Sequence, residues 1–140
     1  MELPGKLGFP SLFLSQMGYT HYWEDCIFTL NQWNELREIF QVILTESEVQ
    51  KAQVTDEFIS FETGCETFEL VKNGKCSFNF CKTQRNFGDA LVVATLEAAA
   101  KICAGSFKWS SDGNINDLQE GLVLLRDCTA PRKKSAMSAI

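Results

Sequence analysis

The stretch Glu66-Thr67-Phe68-Glu69-Leu70-Val71-Lys72-Asn73-Gly74-Lys75-Cys76-Ser77-Phe78-Asn79-Phe80-Cys81-Lys82 decides the fold. Aromatic and β-branched positions alternate from Glu66 to Val71 and again from Lys75 to Lys82. Between them stands Asn73-Gly74, the dipeptide favoured by a type I′ hairpin turn, whose two central residues need positive φ. Thr55 to Phe61 carries the same two-residue period and is set off by Thr63-Gly64. Three such strands in succession predict an antiparallel meander, with Phe78 and Phe80 sharing the core side.

Helical patterns flank this meander. Thr29-Leu30-Asn31-Gln32 fits a capping box, and Trp33, Leu36, Phe40, Ile43 and Leu44 recur at helical spacing, predicting a helix from about Leu30 to Glu46. Its other face, with Asn34, Arg37, Glu38 and Gln41, reads as solvated. Asn86 or Asp89 can cap a second helix running to about Cys103, with Gly105 as its stop. Ala90 to Leu96 and Ala98 to Ala100 are apolar nearly all round, the mark of a central, closely packed helix. Gly18 to Trp23 reads as a strand with Tyr19, His21 and Trp23 on one face and Thr20 and Tyr22 on the other; Phe107 to Ser110 reads as another. After Asp112-Gly113, the run Asn116-Asp117-Leu118-Gln119 opens a helix to about Asp127. The order β-α-β-β-β-α-β-α predicts a single α+β domain, a mainly antiparallel sheet of about four or five strands with helices on one face. Residues 1–16 read as an N-terminal extension, 17–128 as the domain and 129–140 as a disordered basic tail.

The 140 residues suit one domain, and a hydrophobic fraction of 45% with eleven Phe and three Trp supplies a core. Eighteen acidic against thirteen basic residues give a net charge of −5, which disfavours general nucleic-acid binding. No apolar run approaches a membrane span. The six cysteines form no CxxC, and His21 is the only histidine, so neither a zinc site nor another metal or cofactor site is expected. Met1-Glu2-Leu3-Pro4 has no secretory character, so reduced thiols in the cytoplasm are the expectation.

Three polar and aromatic stretches stand apart from this frame. Asn79-Phe80-Cys81-Lys82-Thr83-Gln84-Arg85 ends at a strand-to-helix junction, where Lys82, Thr83 and Arg85 can hold a phosphate or carboxylate beside free helix N–H groups. The competing reading is two solvated cations and a turn-forming threonine. His21, flanked by Tyr19, Tyr22 and Trp23, can donate to a phosphate or act as an acid or base, or can be a packed, hydrogen-bonded residue. Ser110-Ser111-Asp112-Gly113 can present hydroxyls and a carboxylate to a sugar or amine, yet these are also the residues a turn demands. Cys81 beside Lys82 can be an activated thiol or a buried one, the latter being commoner.

Together, Gly18-Tyr19-Thr20-His21-Tyr22-Trp23, Phe80-Cys81-Lys82-Thr83-Gln84-Arg85 and Ser110-Ser111-Asp112-Gly113 resemble the motifs of a family of small uncharacterised proteins from bacteria and their phages. The resemblance spans about Met17 to Leu125. Residues 1–16 depart from it, as does Asn86-Phe87-Gly88-Asp89 where that family often has a Pro-Tyr-Asp-like run. It implies candidate residues and a bacterial or phage source, hence a bacterial cytoplasm, but no mechanism.

The leading expectation is a protein that binds a small anionic, nucleotide-like ligand, for instance a phage protein sequestering a host nucleotide. Lys82 and Arg85 would hold phosphate with Thr83 and His21, Tyr19 or Trp23 would stack on a base, and Ser110, Ser111 and Asp112 would read a sugar. One alternative is an enzyme acting on a phosphorylated small molecule, with His21 as acid/base and Asp112 as its partner or as a second base. Another is an inhibitor that meets a basic protein partner through an acidic, aromatic face. Homo-oligomerisation through the leader or an uncovered strand edge also remains open.

Overall fold

A computed structural model describes residues 19–74 and 79–129 of the chain. The extension 1–16, Met17, Gly18, Cys76, Phe78 and the tail from residue 130 lie outside the described residues. The elements are β1 (Thr20–Trp23), α1 (Leu30–Glu46), β2 (Gln53–Val54), β3 (Phe58–Glu62), β4 (Thr67–Val71), β5 (Phe80–Lys82), α2 (Asp89–Ile102), β6 (Trp109–Ser111) and α3 (Ile115–Thr129). This is the expected α+β class, with the strands divided between two antiparallel three-stranded sheets, ordered β5-β1-β6 and β2-β3-β4.

Sheet β2-β3-β4 is local. Ile59 faces Leu70 and Phe61 faces Phe68 across β3 and β4, and all four side chains are buried. The strand expected over Thr55 to Phe61 is instead a tight hairpin. Thr55 N–H donates to Phe58 O at 2.9 Å and the Thr55 hydroxyl accepts from Phe58 N–H at 3.0 Å, so β2 folds back on β3. A threonine that bonds its own backbone offers a turn in place of a ladder.

Asn73-Gly74 does form a turn: Gly74 has φ 89° and its N–H donates to Val71 O at 3.3 Å. Of the strand expected after it, Lys75 to Phe78 lie outside the described residues, and the described piece, β5, pairs with β1 rather than β4. Lys72 O and Asn73 are taken by Phe28 and Ile27, through a 2.9 Å bond and a β-bridge. Phe80, expected on the core side, is 43% exposed, since in this pairing Cys81 takes the inward position.

Helix α1 has the expected bounds and capping box, with Thr29 Oγ1 accepting from Gln32 N–H at 3.0 Å and Gln32 Oε1 accepting from Thr29 N–H at 2.9 Å. Trp33, Leu36, Phe40 and Ile43 are buried, and Phe40 stacks on Phe61 of β3. Helix α2 is central, as its composition requires: Leu91 to Leu96, Ala98 and Ala99 are all buried between α1, α3 and the β5-β1-β6 sheet. Gly121 of α3 lets that helix close on α2, for a Cβ there would lie 2.5 Å from Val93 Cβ. Two caps differ from expectation. Gly88 precedes α2 without a side-chain cap, because Asp89 is turned toward β1; and α3 is capped by Asn114, which exchanges bonds with Asp117 at 3.0 and 2.9 Å. The last strand lies over Trp109–Ser111, while Phe107 leaves the ladder to pack on Phe28. Helix α3 runs on to Thr129, the first residue of the expected disordered tail, the rest of which lies outside the described residues.

Candidate functional site

Sheet β5-β1-β6 is the three outlier stretches brought side by side. β1 lies in the middle: His21 is opposite Cys81 on one side and Ser111 on the other, and Tyr22 is opposite Phe80 and Ser110. Since successive residues of a strand face opposite ways, this register sorts the candidates onto two faces. Tyr19, His21, Trp23, Cys81, Thr83 and Ser111 fall on the side covered by α2. Thr20, Tyr22, Phe80, Lys82 and Ser110 fall on the other.

On the inner side, His21 is fully buried and its Nε2 lies 2.7 Å from Asp89 Oδ1 at the first turn of α2. The buried Thr83 hydroxyl donates to the same oxygen at 2.5 Å. An oxygen that accepts from threonine fixes the imidazole proton on Nε2 as the second donor, and leaves Nδ1 buried with no hydrogen bond. Asp89 Oδ2 has no partner among the described residues, and the carboxylate is 16% exposed. Its open side forms part of a cleft.

Arg85 shapes the rim. Its guanidinium lies 3.9 Å from the centre of the Tyr19 ring and its Nη2 donates to Asp117 Oδ1 at 3.3 Å. Gln84 and Arg85 have φ of 51° and 59°, a left-handed pair in residues that both carry a Cβ. Such conformations are costly and gather at functional sites. Here they turn the chain from β5 into α2 while Thr83 and Gln84 N–H both donate to Tyr19 O. Burial, then the negative charges of Asp89 and Asp117, push the Tyr19 phenol up to about 12, against the smaller opposing effects of Arg85 and Ser111. The Tyr19 hydroxyl is itself buried, beside the Ser111 hydroxyl. The Asn114 N–H and, after it, Arg85 hold Asp117 below the usual carboxylate range.

The cleft encloses about 470 Å³ and is lined by Glu48, Arg85, Asn86, Phe87, Asp89, Ala90, Asp117 and Glu120. Among the described residues, four carboxylates thus face one guanidinium. Among the described residues no group of three or more His, Cys, Asp or Glu side chains is gathered closely enough to hold a metal ion.

Several expected pairings are not made. Lys82 does not join Arg85, because it alternates with Thr83 and faces the outer side; its backbone is engaged by Glu66, through bonds of 2.7 and 3.1 Å. Tyr19 and Trp23, 3% and 5% exposed, are core residues closed to a stacking base. Asp112 is not the partner of His21. Its carboxylate accepts from Thr20 N–H at 3.0 Å and from the Tyr22 hydroxyl at 3.2 Å on the outer side, pinning β6 to β1. Ser111 Oγ accepts from Gly113 N–H at 2.9 Å, the turn-forming role, and Ser110 borders a separate outer groove of about 290 Å³ with Tyr22, Trp109 and Lys108. Cys81 is no activated thiol. Burial first, then Glu66, push it up to about 12, and Lys82 cannot lower it from the opposite face.

Asp89, Asp117 and Phe87 are the site residues that sequence reading did not select. The signal for Asp89 was present in a lone histidine and in an acidic residue at the start of a helix 68 residues further on. Only the fold joins them. Comparison with known proteins finds no matching family model, no matching curated protein and no matching solved structure.

Proposed function

We propose that this chain is a small-molecule binding protein whose ligand sits in the cleft between the β5–α2 junction and α3. The observation that carries this reading is the Asp89 carboxylate: one oxygen is fixed by His21 and Thr83, and the other has no partner while its side chain forms part of the cleft wall. A carboxylate held by two buried donors is oriented before any ligand arrives, so little ordering is lost on binding. The charge of the wall selects the ligand. Low-dielectric walls lined by one sign of charge concentrate the opposite sign, so a protonated amine or guanidinium suits Glu48, Asp89, Asp117 and Glu120. Among the described lining residues an anionic group has only Arg85 to meet, and Phe87, 48% exposed, offers an aromatic edge.

This reading moves away from the phosphorylated, nucleotide-like ligand, which needed Lys82 and Arg85 together. A bacterial or phage source and sequestration of a host metabolite remain compatible with it. Ligand-observed NMR against a panel of polyamines, amino acids and nucleotides tests it. Amines are expected to bind wild type and to be lost with Asp89→Asn. Nucleotide binding that survives Asp89→Asn and vanishes with Arg85→Ala would return the site to the anionic class.

An enzymatic reading has one specific support, the 2.7 Å contact between His21 and Asp89. In it Asp89, not the enclosed His21, is the general base that meets substrate. Turnover of a cleft ligand that is abolished by Asp89→Asn while binding of that ligand persists would establish it.

A further inference from the structure

Among the described residues, the one cation lining the cleft belongs to the chain itself. The Arg85 guanidinium lies 3.9 Å from the centre of the Tyr19 ring and gives Asp117 Oδ1 a 3.3 Å hydrogen bond. Such a place suits a flat, delocalised cation, whose face meets the ring and whose edge meets the carboxylate. Both partners are fixed. Tyr19 is buried, its carbonyl accepts from Thr83 and Gln84 N–H, and a Cβ on Gly113 would stand 2.6 Å from its hydroxyl. Asp117 is held at the start of α3 by the Asn114 N–H at 2.9 Å. Arg85 is the loosely held member. Its side chain is 46% exposed, and its one side-chain hydrogen bond among the described residues is longer than usual. It also leaves much of the wall's charge unmatched. Glu48 and Glu120 make no ion pair among the described residues, and Asp89 pairs with His21 instead.

We propose that Arg85 stands in for the ligand's own cation: the ligand carries a guanidinium group, which takes the Tyr19 face and the Asp117 carboxylate when Arg85 turns out to solvent. This rests on the cation-binding reading of the cleft, and adds which cation is bound and what it displaces. A free guanidinium has the same flat face and bonding edge as the arginine it replaces. Untethered to the β5–α2 turn, it can also settle against Asp89 or Glu120, with which Arg85 makes no ion pair. An ammonium lacks the flat face and is more strongly hydrated, so it gains less from the ring. Arg85 therefore competes from within. The ligand's apparent affinity is its intrinsic affinity scaled by the fraction of molecules that Arg85 has vacated. Specificity follows from the same exchange, because a cation that cannot match both contacts does not displace the arginine.

The test applies NMR and calorimetry to the full chain with butylguanidinium and butylammonium, which share a chain and differ in the head group. In the free protein the Arg85 δ-protons are expected to be shifted upfield by the Tyr19 ring. Saturation with butylguanidinium should return them to the values of a solvated arginine and give nuclear Overhauser contacts between the ligand and that ring. Wild type should bind butylguanidinium more tightly than butylammonium. Arg85→Ala should tighten both through the lost repulsion, and butylguanidinium by about three- to tenfold more. Arg85 protons that keep their ring shift while butylguanidinium is bound, or equal affinity for the two head groups, would overturn the proposal and leave the cation reading standing. If neither compound binds wild type or Arg85→Ala, the cation reading itself falls, and the proposal with it.

Discussion

The two sheets of this protein are built on opposite logics. Sheet β2-β3-β4 comes from one continuous stretch, and its inward side chains Ile59, Phe61, Phe68 and Leu70 are apolar and buried. Sheet β5-β1-β6 draws its strands from three distant parts of the chain and turns Tyr19, His21 and Thr83 inward, toward Asp89. Core formation accounts for the first. It does not account for the second, where His21 Nδ1 is buried without a partner, at a cost of about 1–3 kcal/mol. A protein that keeps such a group at the one place where a left-handed Gln84–Arg85 pair and a cleft also occur is retaining it for something other than stability.

The largest effect belongs to the apolar sheet. Phe68→Ala removes a ring that packs on both Trp23 and Phe61, and is expected to lower unfolding free energy by about 3–5 kcal/mol in a urea titration. Ligand binding by the fraction still folded is expected to be unchanged. Asp89→Ala acts on the other sheet. It strands His21 and the Thr83 hydroxyl, should cost about 2–3 kcal/mol by the same titration, and should abolish binding. Equal damage to binding by both variants would erase the distinction between the sheets.

Alkaline pH sharpens the comparison further. Tyr19 is raised from 10.0 to about 12, Cys81 from 9.0 to about 12 and Cys103 from 9.0 to about 11, each chiefly by burial. All three hold their protons more tightly folded than unfolded, so their contribution is complete below the unfolded values and falls as pH rises through the folded ones. Thermal unfolding followed from pH 8 upward is expected to show the midpoint dropping above about pH 9, and Tyr19→Phe should flatten the part above about pH 10. None of the three residues belongs to β2-β3-β4. The smallest effect is predicted for Lys82→Ala, on the outer face: stability within about 0.5 kcal/mol of wild type and binding intact by calorimetry.

The difference between the sheets also explains what could be read from the chain. Periodicity and capping are local signals, so α1, the apolar α2 and the paired strands β3 and β4 were legible in Thr29–Gln32, Ala90–Leu96 and Phe58–Val71. Strand pairing between distant segments has no local signal. Asn73-Gly74 pointed β5 at β4, and only the inward placement of Cys81 against His21 shows why it joined β1. The polar outliers were legible as exceptions, and they do share one sheet. Their roles were not, because one residue of register decides whether Lys82 or Thr83 faces Asp89.

The central claim is that the His21–Thr83–Asp89 cluster is kept for binding and not for folding. The most direct measurement is the unfolding free energy of the triple variant His21→Leu, Thr83→Val, Asp89→Leu, in which the polar groups are replaced together by apolar ones of similar size. Because burying a carboxylate and an orphaned polar atom is itself costly, the variant is predicted to be as stable as wild type or more so, while it no longer binds amines. A variant that unfolds, or that loses as much stability as Asp89→Ala, would show that the cluster holds the sheet together and would contradict the claim.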